Sequence, residues 1–405
     1  MRICVVNYSR RKIGGAEQNL DVVLPEFERR GHHLQFVFFH DEHNEPQTRA
    51  PIRTSALVEL VDAGQTGTAV ALAKIRAFQP DVINVHGDIA PDFQEELIGI
   101  APSAYSVHNY YGTCISGLKT NSFPIIQPCN RVFGLRCLVS YLPRRCGGLS
   151  PVTMFALYRR ERDRLRVMAR YNAVITHSAR MELEYRKHGL NPSRVFGLPY
   201  EVLQRAEPST TTPLWPVDLR PQLLFAGRMD KLKGGKILLA ALPLVHQSLA
   251  RPLDVVFAGD GPRRTSWERM ARALEVRFPQ IRCRFVGWLT APGLTHLFES
   301  SHVLVVPSQC PETFGKVGPE AAGCGLPAAA FAVGGIEEWL IPGVNGASAP
   351  GDPPTADGLA SAICQVIGDP EKHAELCRGA AASVGRFDLN THVDRLLALF
   401  EQIRT

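Results

Sequence analysis

Short apolar runs of strand length alternate with longer segments in which apolar residues recur every three or four positions, and the scheme occurs twice along the chain. In the first half, strands are predicted over 2–6, 35–39, 82–85, 104–107 and 173–176, with helices over 16–30, 67–78 and 91–100 between them. In the second half, strands are predicted over 223–226, 254–258, 284–286, 303–306 and 328–331, with helices over 236–249, 264–278, 294–300 and 319–324. Strands separated by amphipathic segments of this length indicate parallel pairing through crossover helices, hence an α/β class. The proline- and hydroxyl-rich stretch from Pro208 to Pro216 disfavours regular structure and is read as a linker.

The expected organisation is two Rossmann-like, doubly wound parallel-sheet domains facing across a cleft, one over 1–207 and one over 208–385. A final helix over 386–405 follows a break at Gly385 and is expected to pack back on the first domain. Ligands in such sheets bind outside the carboxyl ends of the strands, which puts the expected site in that cleft.

A length of 405 residues exceeds one ordinary hydrophobic core, so two domains agree with size as well as pattern. The apolar runs are too short to span a bilayer, and Met1 leads straight into a strand pattern without a signal-peptide layout. The expectation is a cytoplasmic protein. Its net charge of +6 permits an anionic partner but does not by itself point to nucleic acid.

Four segments carry candidate chemistry. Gly14 and Gly15 lie between the first strand and the first helix, where paired glycines let backbone amides approach a phosphate and the helix start favours negative charge; a plain turn is the alternative. After the strand at 223–226 comes Gly227-Arg228-Met229-Asp230-Lys231-Leu232-Lys233-Gly234. There Arg228 can fork onto two oxygens of a diphosphate and Lys233 adds a point charge, while Lys231 reads as solvated. The third segment, Gly259-Asp260-Gly261, marks a tight turn of the fold. The fourth runs from Pro307 through Glu312, Thr313, Phe314, Gly315, Lys316 and Val317 to Glu320, leaving a strand and entering a helix. Its two carboxylates can accept from separate sets of hydroxyls, and the amides between them can meet sugar and phosphate; helix capping is the alternative for Glu320.

Together these segments resemble the family 4 retaining glycosyltransferases of GT-B fold, from Gly14-Gly15 to Val333-Gly334-Gly335-Ile336-Glu337-Glu338. Glu312 to Glu320 is similar to that family's E-x7-E motif, and Gly227 to Gly234 to its G-R-x4-K-G element. The resemblance implies transfer of a sugar from a nucleotide diphosphate sugar, most often a UDP-sugar, to a glycan or lipid-linked acceptor in polysaccharide or glycoconjugate synthesis. It implies Gly14 and Gly15 against the donor phosphates, Arg228 and Lys233 on the leaving diphosphate, Glu312 on the sugar hydroxyls and Glu320 on the ribose. It also implies His108 beside the transferred sugar, a strand-end histidine satisfied locally being the alternative. The family's P-N-G-V is replaced by Pro199-Tyr200-Glu201-Val202. With no D-x-D triplet, transfer is expected to need no metal cofactor.

An insertion over about 110–150 holds Cys114, Cys129, Cys137 and Cys146. Four thiols suit a tetrahedral structural zinc, and a subset of the family has a comparable cysteine-rich insertion; the spacings are long, so free or buried thiols are the alternative. Ten arginines lie between Arg131 and Arg170, offset only by Glu161 and Asp163. That stretch suits an anionic membrane at its inner face, or else a solvated helix face. Rival functions are a nucleotide-sugar epimerase of the same fold and a non-catalytic module for anionic lipid or nucleic acid. The first would need acid/base residues poised at the sugar ring, of which no clear paired set is found. The intact run from Glu312 to Glu320, with Arg228 and Lys233, speaks against the second.

Overall fold

The computed structural model describes residues 1–12, 14–41, 50–201 and 220–405. The expected linker at Pro208 to Pro216 lies outside them. The chain divides into two compact units. Unit 1 comprises Met1–Lys119, Arg131–Glu201 and Leu389–Thr405, and unit 2 comprises Thr120–Asn130 and Val202–Asp388.

The strands are β1 (Arg2–Ser9), β2 (His33–His40), β3 (Glu59–Asp62), β4 (Val82–His86), β5 (Ser103–Ser106), β6 (Thr120–Asn121), β7 (Gln127–Pro128), β8 (Ala173–Thr176), β9 (Val195–Gly197), β10 (Gln222–Ala226), β11 (Leu253–Ala258), β12 (Ile281–Gly287), β13 (Val303–Val306), β14 (Ala328–Ala332) and β15 (Gly346–Pro350). Unit 1 has a seven-stranded sheet ordered β3-β2-β1-β4-β5-β8-β9, and unit 2 a six-stranded sheet ordered β12-β11-β10-β13-β14-β15. All pairs in both sheets are parallel, while β6 and β7 form a separate antiparallel hairpin. Each sheet starts in the middle, winds outward to one edge and then to the other. The order therefore reverses between β1 and β4, and again between β10 and β13, as the doubly wound α/β expectation requires.

Parallel strands must be covered on both faces, and β1 shows how. Ile3 and Val5 enter one core with Leu20, Leu24 and Phe27 of the helix Gly15–Arg29, whereas Cys4 and Val6 enter the other with Ile83, Val85 and Tyr105. The helix Leu389–Arg404 closes the first of these cores, burying Val393, Leu396, Leu399 and Phe400. Five strands are absent from the sequence-based prediction: the hairpin strands β6 and β7, and the edge strands β3, β9 and β15. Of these, Gly346-Ala347-Ser348-Ala349-Pro350 has no β-branched residue to signal it. Its pairing with the alanines of β14 depends on close approach instead, since a Cβ on Gly346 would sit 2.0 Å from the Ala328 carbonyl oxygen.

Among the described residues, no helix is long and apolar enough to cross a membrane. The insertion holds the β6–β7 hairpin and the helix Leu135–Arg144, which packs on the following helix Pro151–Met168 through Tyr141, Leu138, Met154 and Leu157. The four cysteines of the zinc expectation lie in or beside these elements. Among the described residues, no group of three or more His, Cys, Asp or Glu side chains is placed to hold a metal ion. Cys129 belongs to unit 2 and the other three to unit 1. The Cys114 sulfur accepts from the Lys119 amide, and Cys137 and Cys146 pack against the small core around Tyr141.

Candidate functional site

In unit 2, the reversal of strand order brings together the loops that follow β10 and β13. Asp230 folds the first loop by accepting at one oxygen from the amides of Leu232 and Lys233, at 2.8 and 3.1 Å. The second loop is tied to it by the Gln309 amide donating to the Leu232 carbonyl at 2.7 Å. Gly234 makes the approach sterically feasible. Its φ of +76° and the 1.8 Å between a built Cβ and the Pro307 oxygen exclude any side chain there.

This packing sets Lys233 against Glu312. The ammonium donates to Glu312 Oε1 at 2.7 Å, and the buried Ser308 hydroxyl donates to the same oxygen. Side-chain exposure is 34% for Lys233 and 11% for Glu312, so the pair is only partly shielded from water. Burial alone would raise the Glu312 carboxyl, but Lys233 and Ser308 override it and hold the group below its usual range. Burial alone would lower the Lys233 ammonium; Glu312 overrides that and raises it. Both are charged at neutral pH.

Glu312 is fixed from behind by the segment after β14. The Gly335 amide donates to the Glu312 carbonyl at 2.6 Å, and a Cβ on Gly334 would stand 2.3 Å from that oxygen. Further along, the Trp339 indole donates to the Phe314 carbonyl at 2.8 Å, and Phe314 is fully buried against Phe387. Thr313, Gly315, Lys316 and Val317 continue the loop into the short helix Val317–Ala322, which carries half-buried Glu320. Arg228 is exposed just beyond β10 and enters no ion pair among the described residues. Thus the structure joins Lys233 with Glu312 and leaves Arg228 outside that pair.

In unit 1, Gly14 precedes the helix Gly15–Arg29 in extended backbone. Its amide donates to Glu17 Oε2 at 2.9 Å, so a carboxylate already answers part of this helix start. A Cβ on Gly15 would meet nothing within 4 Å. Nothing in the packing of this unit requires glycine at Gly15.

The carboxyl ends of β4, β5, β8 and β9 deliver a polar stack that the sequence reading did not assemble. His108 lies between His86 and Tyr200, with His177 stacked on it at 5.0 Å and on Tyr200 at 3.8 Å. The hydrogen bonds run in one direction. Ser106 donates to Asn84 Oδ1 at 3.1 Å, and the Asn84 amide donates to His86 Nε2 at 2.8 Å. His86 must then carry its proton on Nδ1 and donate to His108 Nε2 at 2.9 Å. By the same logic His108 Nδ1 carries a proton and donates to the Tyr200 hydroxyl. Burial, with the neighbouring His177 and His392, pushes the His86 imidazole down to about 3. Burial and His86 push that of His108 well below the usual histidine value. Both rings are neutral at physiological pH, and both nitrogens of His108 are engaged. The signal for His86 and His177 was present, because each ends or follows an apolar strand just as His108 does. Tyr200 gave none beyond its departure from the family pattern.

Residues 220–369 match the family described as glycosyl transferases group 1. A D-inositol 3-phosphate glycosyltransferase 1 of Catenulispora acidiphila is 35% identical over 183 residues, covering 44% of this chain and 43% of that protein. The D-inositol 3-phosphate glycosyltransferase of Xylanimonas cellulosilytica is 32% identical over 197 residues, covering 46% and 43%. The chain therefore spans less than half the length of these relatives. Among solved structures, Anabaena Alr3699/HepE in complex with UDP superposes with a TM-score of 0.67 at 19% identity, covering 99% of this chain and all of that one. Sucrose-phosphate synthase from Thermosynechococcus elongatus gives 0.71 at 18% identity, covering 100% and 99%. The fold, two parallel-sheet α/β domains, is that of GT-B glycosyltransferases.

Proposed function

We propose that this chain is a retaining glycosyltransferase that moves a sugar from a nucleotide diphosphate sugar, preferably a UDP-sugar, to a glycan or lipid-linked acceptor. The observation that carries the reading is the Lys233–Glu312 pair, held where strand order reverses in unit 2. The relatives named as glycosyltransferases and a structural neighbour solved with UDP support it.

The charge logic is as follows. As the bond from sugar to diphosphate lengthens, negative charge collects on the phosphate oxygens, and fixed cations aimed there lower the barrier. Lys233 is a cation already oriented by Glu312, so little reorganisation accompanies the reaction. Arg228, exposed and outside any ion pair among the described residues, is a second cation able to grip two oxygens. Glu312 has oxygen capacity beyond Lys233 and Ser308 to accept sugar hydroxyls, Glu320 takes the ribose, and the loop from Thr313 to Val317 lines the donor. From unit 1, Gly14 and Gly15 are assigned to phosphate and His108 to the transferred sugar. A new hydrogen bond from a His108 ring nitrogen would have to replace the one to His86 or to Tyr200. The reading includes attack on the leaving-group side, with the departing phosphate taking the acceptor proton and no metal needed.

The test is incubation of the purified chain with a panel of UDP-, GDP- and ADP-sugars and candidate acceptors. Products are analysed by mass spectrometry and anomeric NMR, with and without chelator. A product of retained anomeric configuration, formed equally with chelator, is expected. An inverted product, or an epimerised donor with no acceptor glycosylated, overturns the proposal.

A further inference from the structure

The arginine-rich stretch divides in two once folded. From Glu161 onward its charges are answered locally: buried Arg164 pairs with Glu161 and Asp88 and lies over the Tyr111 ring, Arg166 reaches Asp163, and Arg170 reaches Glu95. This half is not a free basic face. From Arg131 to Arg160 the position is different. Six arginines fall there, of which Arg160 reaches Glu161 and Asp88, and no Asp or Glu occurs anywhere between Glu96 and Glu161. Arg136, Arg144 and Arg159 enter no ion pair among the described residues.

The same segment turns aliphatic side chains to solvent. Leu135, Val139 and Leu142 repeat at helical spacing on Leu135–Arg144 and are 73%, 78% and 38% exposed. On the next helix Val152 and Phe155, one turn before Arg159, are 80% and 54% exposed. The inward positions, Leu138, Tyr141 and Met154, already fill the local core. The outward rows are surplus to folding. Clustered exposed apolar residues of this kind mark an interaction surface.

We infer that the outer faces of Leu135–Arg144 and of the start of Pro151–Met168 dock this chain on an anionic lipid surface. Aliphatic side chains gain from entering the acyl boundary, and unanswered arginines gain from phosphate headgroups beside it. A nucleic acid would use the arginines but give Leu135, Val139 and Val152 nothing, and single-strand binders rely on stacking aromatics, of which this face has Phe155 alone. A second copy joined through a two-fold axis would set arginines against arginines with no acid in the segment to answer them. Lipid answers both components.

The experiment is vesicle flotation of the full chain, using phosphatidylcholine alone and phosphatidylcholine with about 30 mol% phosphatidylglycerol. Binding is expected only to the anionic vesicles and to weaken with added salt. Arg136→Ala and Arg159→Ala should each weaken it about fivefold. Val139→Ser combined with Val152→Ser should weaken it roughly tenfold. These side chains are exposed, so circular dichroism and Tm should match wild type. Equal flotation on neutral vesicles, no flotation on anionic ones, or full retention in the Val139→Ser/Val152→Ser variant would overturn the inference. So would a dimer in vesicle-free sedimentation that these variants abolish. No nucleotide sugar enters the assay, so its outcome is independent of the transferase reading.

Discussion

At the carboxyl edge of the second sheet, Lys233 and Glu312 meet as ions. At the carboxyl edge of the first, His86, His108 and Tyr200 meet as neutral groups in a one-way hydrogen-bond chain. The strand order behind the two is the same, so topology does not explain the contrast. What differs is the residue each strand end delivers and how fully it is buried. Unit 2 keeps charge at its edge because each ion answers the other, with Ser308 completing the set. Unit 1 buries imidazoles without an acid beside His108, and burial, reinforced by the neighbouring histidines, then removes their charge. A doubly wound sheet thus offers a position, and side chains decide whether it holds an electrostatic site or a shaped neutral one.

The largest effect should come from breaking the charged side of this contrast. Lys233→Ala is expected to cut kcat on the order of a hundredfold or more, because it removes a fixed cation and leaves Glu312 to repel the diphosphate. Steady-state transfer with the best donor of the panel checks it, and Lys233→Arg should recover part of the loss. Turnover within twofold of wild type for Lys233→Ala would remove the pair from the mechanism.

Next come the glycines, which differ between the units in the same way. Gly234→Ala should destabilise unit 2 by about 2–4 kcal/mol, measured by chemical denaturation, since the added methyl meets the Pro307 carbonyl in a left-handed backbone. Gly15→Ala should leave stability within about 0.5 kcal/mol, because nothing lies within reach of the new Cβ. If Gly15 faces donor phosphate, the same variant raises the donor KM roughly tenfold. An unchanged KM would make Gly15 an ordinary turn residue.

A smaller effect tests the neutral side. Tyr200→Phe removes the oxygen that His108 Nδ1–H donates to and should lower kcat severalfold while donor KM holds. Nitrogen NMR of the ring should show the Nδ1–H tautomer in the wild type, and a wild-type spectrum with Nε2 protonated would refute the directional chain. The smallest effect is an expected flatness in pH. The depressed Glu312 stabilises the fold above the usual carboxylate range and loses that contribution only as pH falls through its lowered value. The raised Lys233 contributes below the usual lysine range and loses that only as pH climbs through its raised value. From about pH 5 to about pH 10 the pair should add no slope to Tm. A transition in Tm inside that window that vanishes in Glu312→Gln would contradict the assignment of both charges.

Much of this was legible before folding. The alternation of apolar runs and amphipathic segments gave the parallel α/β class, because covered parallel strands need apolar residues on both faces. Short edge strands such as β15 escaped, since backbone approach rather than side-chain pattern holds them. Lys233 and Glu312 stood out singly as residues after strands. Their partnership did not, for 79 positions separate them and only the reversal between β10 and β13 brings their loops together. The cysteines crowd together in sequence, yet Cys129 falls in unit 2 and Cys114, Cys137 and Cys146 in unit 1, a division that spacing does not reveal.

The linear order of residues determined the layered class, the strand ends and the chemistry available at each, because periodicity and residue type are local properties. Tertiary structure alone decided which of those ends touch, which arginines are answered by acids and which histidines are neutral. Those outcomes depend on distance and dielectric, and both are set only when remote segments pack.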